Sequence, residues 1–136
     1  MRVMMNCLAA KSGGALTYLR CLVPALAGRF EKSRPQHHLT VLADEAQLEI
    51  IGPLGSIVRE AAGSPHPTAF HRILWELTNV PRVVARHETE VVFVPYQIGS
   101  RTPGARQVLM LRNMEPFFHD RYSSYSFRTG LRNRIL

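Results

Sequence analysis

Two adjacent glycines interrupt the start of the chain, in Ala9-Ala10-Lys11-Ser12-Gly13-Gly14-Ala15-Leu16. Gly13 and Gly14 carry no side chain, so a ligand can come close to the backbone there. A helix beginning behind them offers free N–H groups and the positive end of its dipole, which together suit a phosphate. Lys11 and Ser12 share the loop. The competing reading is a tight turn that holds nothing. The spacing matches neither the dinucleotide fingerprint G-x-G-x-x-G nor the phosphate loop G-x-x-x-x-G-K-[ST].

A second group of chemistry-bearing residues lies in Leu111-Arg112-Asn113-Met114-Glu115-Pro116-Phe117-Phe118-His119-Asp120. A fixed cation, an amide and a carboxylate behind a strand can hold a sugar or a phosphate. His119 can exchange a proton near neutral pH, or it can simply open a helix beside Asp120. Arg112 can equally pair with a carboxylate of the protein. The other histidines, His37, His38, His66, His71 and His87, lack metal-ligand spacing, so no metal and no other cofactor is expected. Ser123-Ser124-Tyr125-Ser126 lacks the turn of a hydrolase nucleophile. Paired carboxylates suited to a glycoside hydrolase are missing as well.

The elements that must position these loops alternate between strand and helix. Arg2–Leu8 reads as a buried strand, and Leu19, Leu22, Val23, Leu26 and Phe30 form a helical stripe after Ala15. Pro24 should kink that helix or open its last turns. A turn at Ser33-Arg34-Pro35 leads to a strand over His38–Leu42, and Asp44 caps a short helix through Ile50. A third strand is expected near Ser56–Arg59, after Gly52-Pro53 and Gly55. Beyond the loop Gly63–Pro67, Thr68 starts a helix with Phe70, Ile73, Leu74, Leu77, Val80, Val83 and Val84 on its buried side. Glu90–Pro95 is nearly all apolar, as a central parallel strand should be. A polar loop joins it to a fifth strand, Gln107–Leu111.

This alternation predicts a Rossmann-like three-layer α/β/α domain with a mainly parallel sheet. Ligands of such folds sit beyond the carboxyl ends of the strands. Three loops then share one rim: 9–14, 96–101 with Tyr96 at its start, and 112–119. Residues 1–120 are read as the domain, and 121–136 as a basic, helical tail in which Arg121, Arg128, Arg132 and Arg134 alternate with Tyr122, Tyr125 and Phe127.

The composition fits one domain. The chain has 136 residues, 46% of them hydrophobic and 20% charged, which excludes wholesale disorder. Its net charge of +7 is almost entirely arginine, with only Lys11 and Lys32 beside it, and favours anionic partners or a solvated basic surface. Cys7 and Cys21 form no redox or disulfide pattern and are expected to be buried thiols. Asn6 interrupts the first apolar run too early for a signal peptide, and no stretch has the length of a membrane span. A cytoplasmic location is expected.

Several segments together resemble one family. Asn6-x-Leu8-x-x-Lys11-Ser12-Gly13-Gly14-x-x-x-Tyr18-Leu19 looks like the opening of retaining GT-B glycosyltransferases of the family-four type. Leu74-Trp75-Glu76 with Val80-Pro81 resembles a helix of their polymer and lipopolysaccharide-type members. Val91-Val92-Phe93-Val94-Pro95 and Val108-Leu109-Met110-Leu111-Arg112-Asn113-Met114-x-Pro116-Phe117 complete the likeness in the same order. It spans the amino-terminal half of such an enzyme. The resemblance implies a cleft between two Rossmann-like domains, with the glycan or glycolipid acceptor on the first and the nucleotide sugar mainly on the second. Gly13 and Gly14 would face the donor diphosphate and sugar, and Lys11, Ser12, Tyr96, Arg112, Asn113 and His119 the acceptor-side rim. Transfer would retain configuration and need no metal.

The chain departs from that pattern at two points. Many relatives carry His-Asp after the fifth strand, where Arg112-Asn113 stand here, leaving these two as candidate catalytic residues. The family's two glutamates separated by seven residues are absent, because no Glu of this chain has another eight positions on. The expectation is therefore a fragment, a truncated product or one subunit of a split enzyme, inactive alone, with a C-terminal domain supplied in cis or in trans. The basic rim and tail would suit peripheral contact with the inner face of a membrane. A non-catalytic module that binds nucleotides, other anions or nucleic acid is the alternative.

Overall fold

The structure, a computed structural model, describes residues 1–11, 13–33, 37–55, 57–63, 68–96 and 99–110. Among the described residues, five strands and three helices follow one another as β1 (Arg2–Asn6), α1 (Gly14–Lys32), β2 (His38–Ala43), α2 (Glu45–Ile51), β3 (Val58–Ala61), α3 (Ala69–Arg86), β4 (Val91–Val94) and β5 (Arg106–Leu109). The strands form one sheet in the order β3-β2-β1-β4-β5, parallel throughout. The Rossmann-like three-layer expectation holds.

Strand alternation divides the core into two layers. Met5, Val41 and Ala43 pack with Leu19, Val23 and Ala27 of α1 and with Ile51 of α2. Met4, Leu42, Val92 and Val94 pack with Val80, Val83 and Val84 of α3. The central strands β1 and β2 are buried on both faces, which explains their mainly apolar sequences, interrupted inside β2 by Thr40. β3 and β5 are the edge strands, β3 largely exposed and β5 exposed along its length.

Local chemistry moves several boundaries. β1 ends at Asn6 rather than Leu8: the Cys7 amide still bonds the Leu42 carbonyl at 2.8 Å, but the Leu8 amide turns to Asn6 Oδ1 at 3.1 Å. A turn between Leu54 and Ile57 holds β3 back to Val58. α1 continues through Pro24 to Lys32, so the expected opening of its last turns does not occur. Pro24 is exposed, and the carbonyl it leaves without a donor, that of Arg20, belongs to an exposed residue that water can serve.

The larger correction concerns α3. Val80, Val83 and Val84 are buried as expected, but Phe70, Ile73, Leu74 and Leu77 are exposed, Phe70 by 70%. Lengths explain this. A helix of 18 residues spans about 27 Å, whereas the four residues of β4 span about 13 Å. Glu76 meets Asn6 at the last residue of β1, so the turns before it run past the ends of the strands. Cys21 corrects a second expectation. It lies two residues from both Leu19 and Val23, hence on the outer side of α1, and is exposed, while Cys7 is buried.

Candidate functional site

The sheet has its topological switch between β1 and β4. The chain leaves β1 toward the α1–α2 layer, whereas β4 is reached from α3 on the other face. Loops leaving neighbouring strands in opposite directions open a crevice at the strands' carboxyl ends. The glycine loop borders it on one side and the loop after β4 on the other.

Gly13 is the N-cap of α1, with φ 55° and ψ −137°. A positive φ with that ψ is available to glycine and costly for anything else. A Cβ at Gly13 would meet no atom within 4 Å, so backbone conformation rather than crowding calls for glycine. Among the described residues no side chain caps this helix start, and no acidic residue stands in its first turn. The Leu16 amide returns to the Gly13 carbonyl at 3.0 Å. Gly13 and Gly14 are both exposed, so the positive end of a 19-residue helix opens onto the rim.

The loop before them is held from α2. Asp44, 1% exposed, caps α2 by accepting from the Gln47 amide at 2.9 Å, and Gln47 Oε1 accepts from the Asp44 amide at 3.0 Å. This reciprocal pair is a capping box. The other end of the Gln47 amide reaches further, with Nε2 donating to the carbonyls of Cys7 and Ala10 at 2.9 Å each. Gln47 thus fixes both the start of α2 and the turn entering the glycine loop. Lys11 stands on the rim, but its ammonium is paired with the second Asp44 oxygen. Among the described residues the Lys11 charge beside the loop is already balanced, so the positive field there rests on the helix end.

The opposite border is built around Glu76, only 8% exposed. Its Oε2 accepts from Asn6 Nδ2 at 3.3 Å and from Ser100 Oγ at 3.1 Å. Its Oε1 lies 3.2 Å from Arg72 Nε, one helical turn earlier. Gln107 then fastens the loop itself, donating to the Ser100 carbonyl and, at 2.6 Å, to Thr102 Oγ1. Tyr96, partly buried, packs against both core layers at the end of β4, where the crevice begins. Tyr18 of α1 donates to Met110 Sδ at 3.1 Å, tying the first helix to the end of β5.

Of the residues singled out in the sequence, Gly13, Gly14, Lys11 and Tyr96 stand on this rim. Ser12, Arg112, Asn113 and His119 lie outside the described residues, as do the tail arginines Arg121, Arg128, Arg132 and Arg134. Sequence reasoning gave no role to Gln47, Glu76 or Ser100. Two signals were available: the Asp44-x-x-Gln47 spacing of a capping box, and a carboxylate at position 76 in helical phase with Val80 and Val83.

The cysteines take no part in the rim. Burial pushes the Cys7 thiol up to about 12, so it stays protonated and unreactive. Among the described residues no group of three His, Cys, Asp or Glu side chains could hold a metal ion, and no helix is long and apolar enough to cross a membrane. A shallow depression of about 680 Å³ opens at the opposite ends of the strands, between Met1, Glu88, Glu90 and Arg106. Its carboxylates face Arg2, whose guanidinium lies 2.5 Å from Glu88.

No protein-family model matches the chain, and neither does any curated protein or solved structure.

Proposed function

We propose that the chain is the acceptor-side lobe of a nucleotide-sugar-dependent glycosyltransferase, moving a sugar with retention onto a polysaccharide or glycolipid acceptor. The observation that carries this reading is the uncapped start of α1, opening at Gly13–Gly14 onto the switch-point crevice. A sugar diphosphate offers what such a helix end lacks, namely negative oxygens for its first amides. The Lys11–Asp44 pair leaves this task to the backbone, and backbone amides act without a metal.

In this reading Ser12, Tyr96, Arg112, Asn113 and His119 line the acceptor side, with Arg112 and Asn113 the candidates nearest the chemistry. A second lobe, in cis or in trans, supplies the rest of the donor contacts. The chain alone then turns over little, because catalysis needs contacts that strengthen in the transition state. A cytoplasmic location, with peripheral contact at the inner membrane face, belongs to the same proposal.

Calorimetric titration tests it. The chain is titrated with inorganic pyrophosphate, with UDP-glucose and with a DNA oligonucleotide, each at two salt concentrations. Pyrophosphate and UDP-glucose are expected to bind and to compete for one site. Absence of both interactions would sink the site. Robust sugar transfer by the chain alone would overturn the two-lobe reading. Steeply salt-dependent oligonucleotide binding, with indifference to UDP-glucose, would favour the non-catalytic module instead.

A further inference from the structure

We infer that Glu76 is a positioning residue that couples the two loops bordering the crevice, so that the glycine loop and the loop after β4 are set by one carboxylate. Three chain segments meet on that group. Asn6, 70 residues away in sequence, comes from the end of β1, and Ser100, 24 residues away, from the loop after β4. Arg72 comes from the preceding turn of α3.

The linkage continues on the β1 side. Asn6 gives Nδ2 to Glu76 and receives the Leu8 amide on Oδ1, so the carboxylate fixes which way the Asn6 amide points. That orientation in turn sets the bend at Leu8, from which the chain runs through Lys11 to Gly13. Ser100 donates to the same Oε2 atom that Asn6 uses. Neither loop can shift its anchor without disturbing the other.

Burial makes this costly to build without a purpose. A carboxylate that is nine-tenths buried loses hydration, and an apolar residue in phase with Val80 and Val83 would extend the core at no such cost. What the apolar residue could not do is accept from both loops. The coupling itself stands on these hydrogen bonds. Its effect on ligand affinity rests on the anion site proposed above.

The experiment compares Glu76→Ala, Glu76→Gln and Ser100→Ala in the full chain, reading amide hydrogen exchange residue by residue together with pyrophosphate affinity. Glutamine keeps an acceptor for Asn6 and Ser100 but not the pairing with Arg72. Exchange of the Leu8 amide should rise about tenfold in Glu76→Ala, the scale of one lost buried hydrogen bond, and return toward wild type in Glu76→Gln. The Val41 amide, in the middle of the sheet, is the reference and should not change. If Glu76→Ala fails to fold, Ser100→Ala decides, since it removes one bond on the far loop and should still raise exchange at Leu8. Leu8 exchange unchanged in Ser100→Ala, or a rise in Glu76→Ala that includes Val41 equally, would overturn the coupling. Pyrophosphate affinity should fall several-fold in Glu76→Ala and recover in Glu76→Gln. A wild-type chain that ignores pyrophosphate would overturn the anion site, while exchange at the Leu8 amide would still decide whether Glu76 couples the loops.

Discussion

At the start of α2, Asp44 and Gln47 close the first turn with reciprocal bonds, while at the start of α1, Gly13 presents no side chain at all. Both helices lie on the same face of the sheet and rise from the same rim. A capping side chain is typically worth about 1 kcal/mol, so the open end of α1 forgoes stability that the neighbouring helix secures. The capped end also holds the open one, because Gln47 bonds the carbonyls of Cys7 and Ala10 just before the glycines. One helix start is finished so that the next can be left unfinished in a fixed place. Preorganised donors of this kind suit a ligand better than a loop that must first be ordered.

The largest effect is expected where the two helix starts join. In an ordinary capping box Glu and Gln are interchangeable at the third helical position. Here Gln47→Glu turns a donor toward backbone carbonyls into a second acceptor, leaving the Cys7 and Ala10 oxygens facing a carboxylate. The substitution should cost about 2–4 kcal/mol, at least as much as Gln47→Ala. The urea midpoint measures it. A near-neutral Gln47→Glu would mean that Gln47 only caps α2, and the contrast between the two helix starts would break.

A smaller effect, with opposite signs in two assays, is expected at the open end. Thr17 is exposed in the first turn of α1. Thr17→Glu supplies the missing negative charge and should raise stability by about 0.5 kcal/mol. The same charge should weaken pyrophosphate binding several-fold by repulsion. Gain of stability with loss of affinity would separate a helix end kept open for an anion from one that is merely uncapped.

How much of this could be read from the chain depends on the range of the interactions. The parallel sheet was legible because β1, β2 and β4 are apolar runs, and apolar runs report burial on both faces. Asp44 was legible as a cap because its partner is three residues away. The clamp of Gln47 on Cys7 and Ala10 was not, because it closes over nearly forty residues and depends on β1 and β2 lying side by side. The α3 stripe misled for a related reason. Periodicity shows that Phe70, Leu74 and Leu77 share a side with Val84, but it carries no information on where the sheet beneath them stops. Pro24 read as a break, whereas the α3 stripe was carried on through Pro81, and both prolines are accommodated inside helices. Each withholds a donor from a carbonyl of an exposed residue, Arg20 and Leu77 respectively, which water can serve.

The smallest expected effect uses the two thiols as reporters of the same join. Cys7 lies fully buried before the glycine loop, and its carbonyl is one of those that Gln47 holds. Cys21 is exposed on the outer side of α1. Thiolates, not thiols, react with disulfide reagents. Burial raises the Cys7 thiol from the ordinary 9.0 to about 12. Because the folded-state value is the higher one, the stabilisation from the neutral thiol is complete below about pH 9 and is lost as the pH climbs through about 12. At pH 8 the native chain should therefore expose one reactive thiol, that of Cys21, and release the second only on unfolding. In Gln47→Ala the loop after Cys7 loses its fastening, so the second thiol should react faster even where the far-ultraviolet spectrum is unchanged. Equal labelling of the second thiol in both proteins would mean that the loop is held by something other than Gln47, and the two helix starts would then be independent.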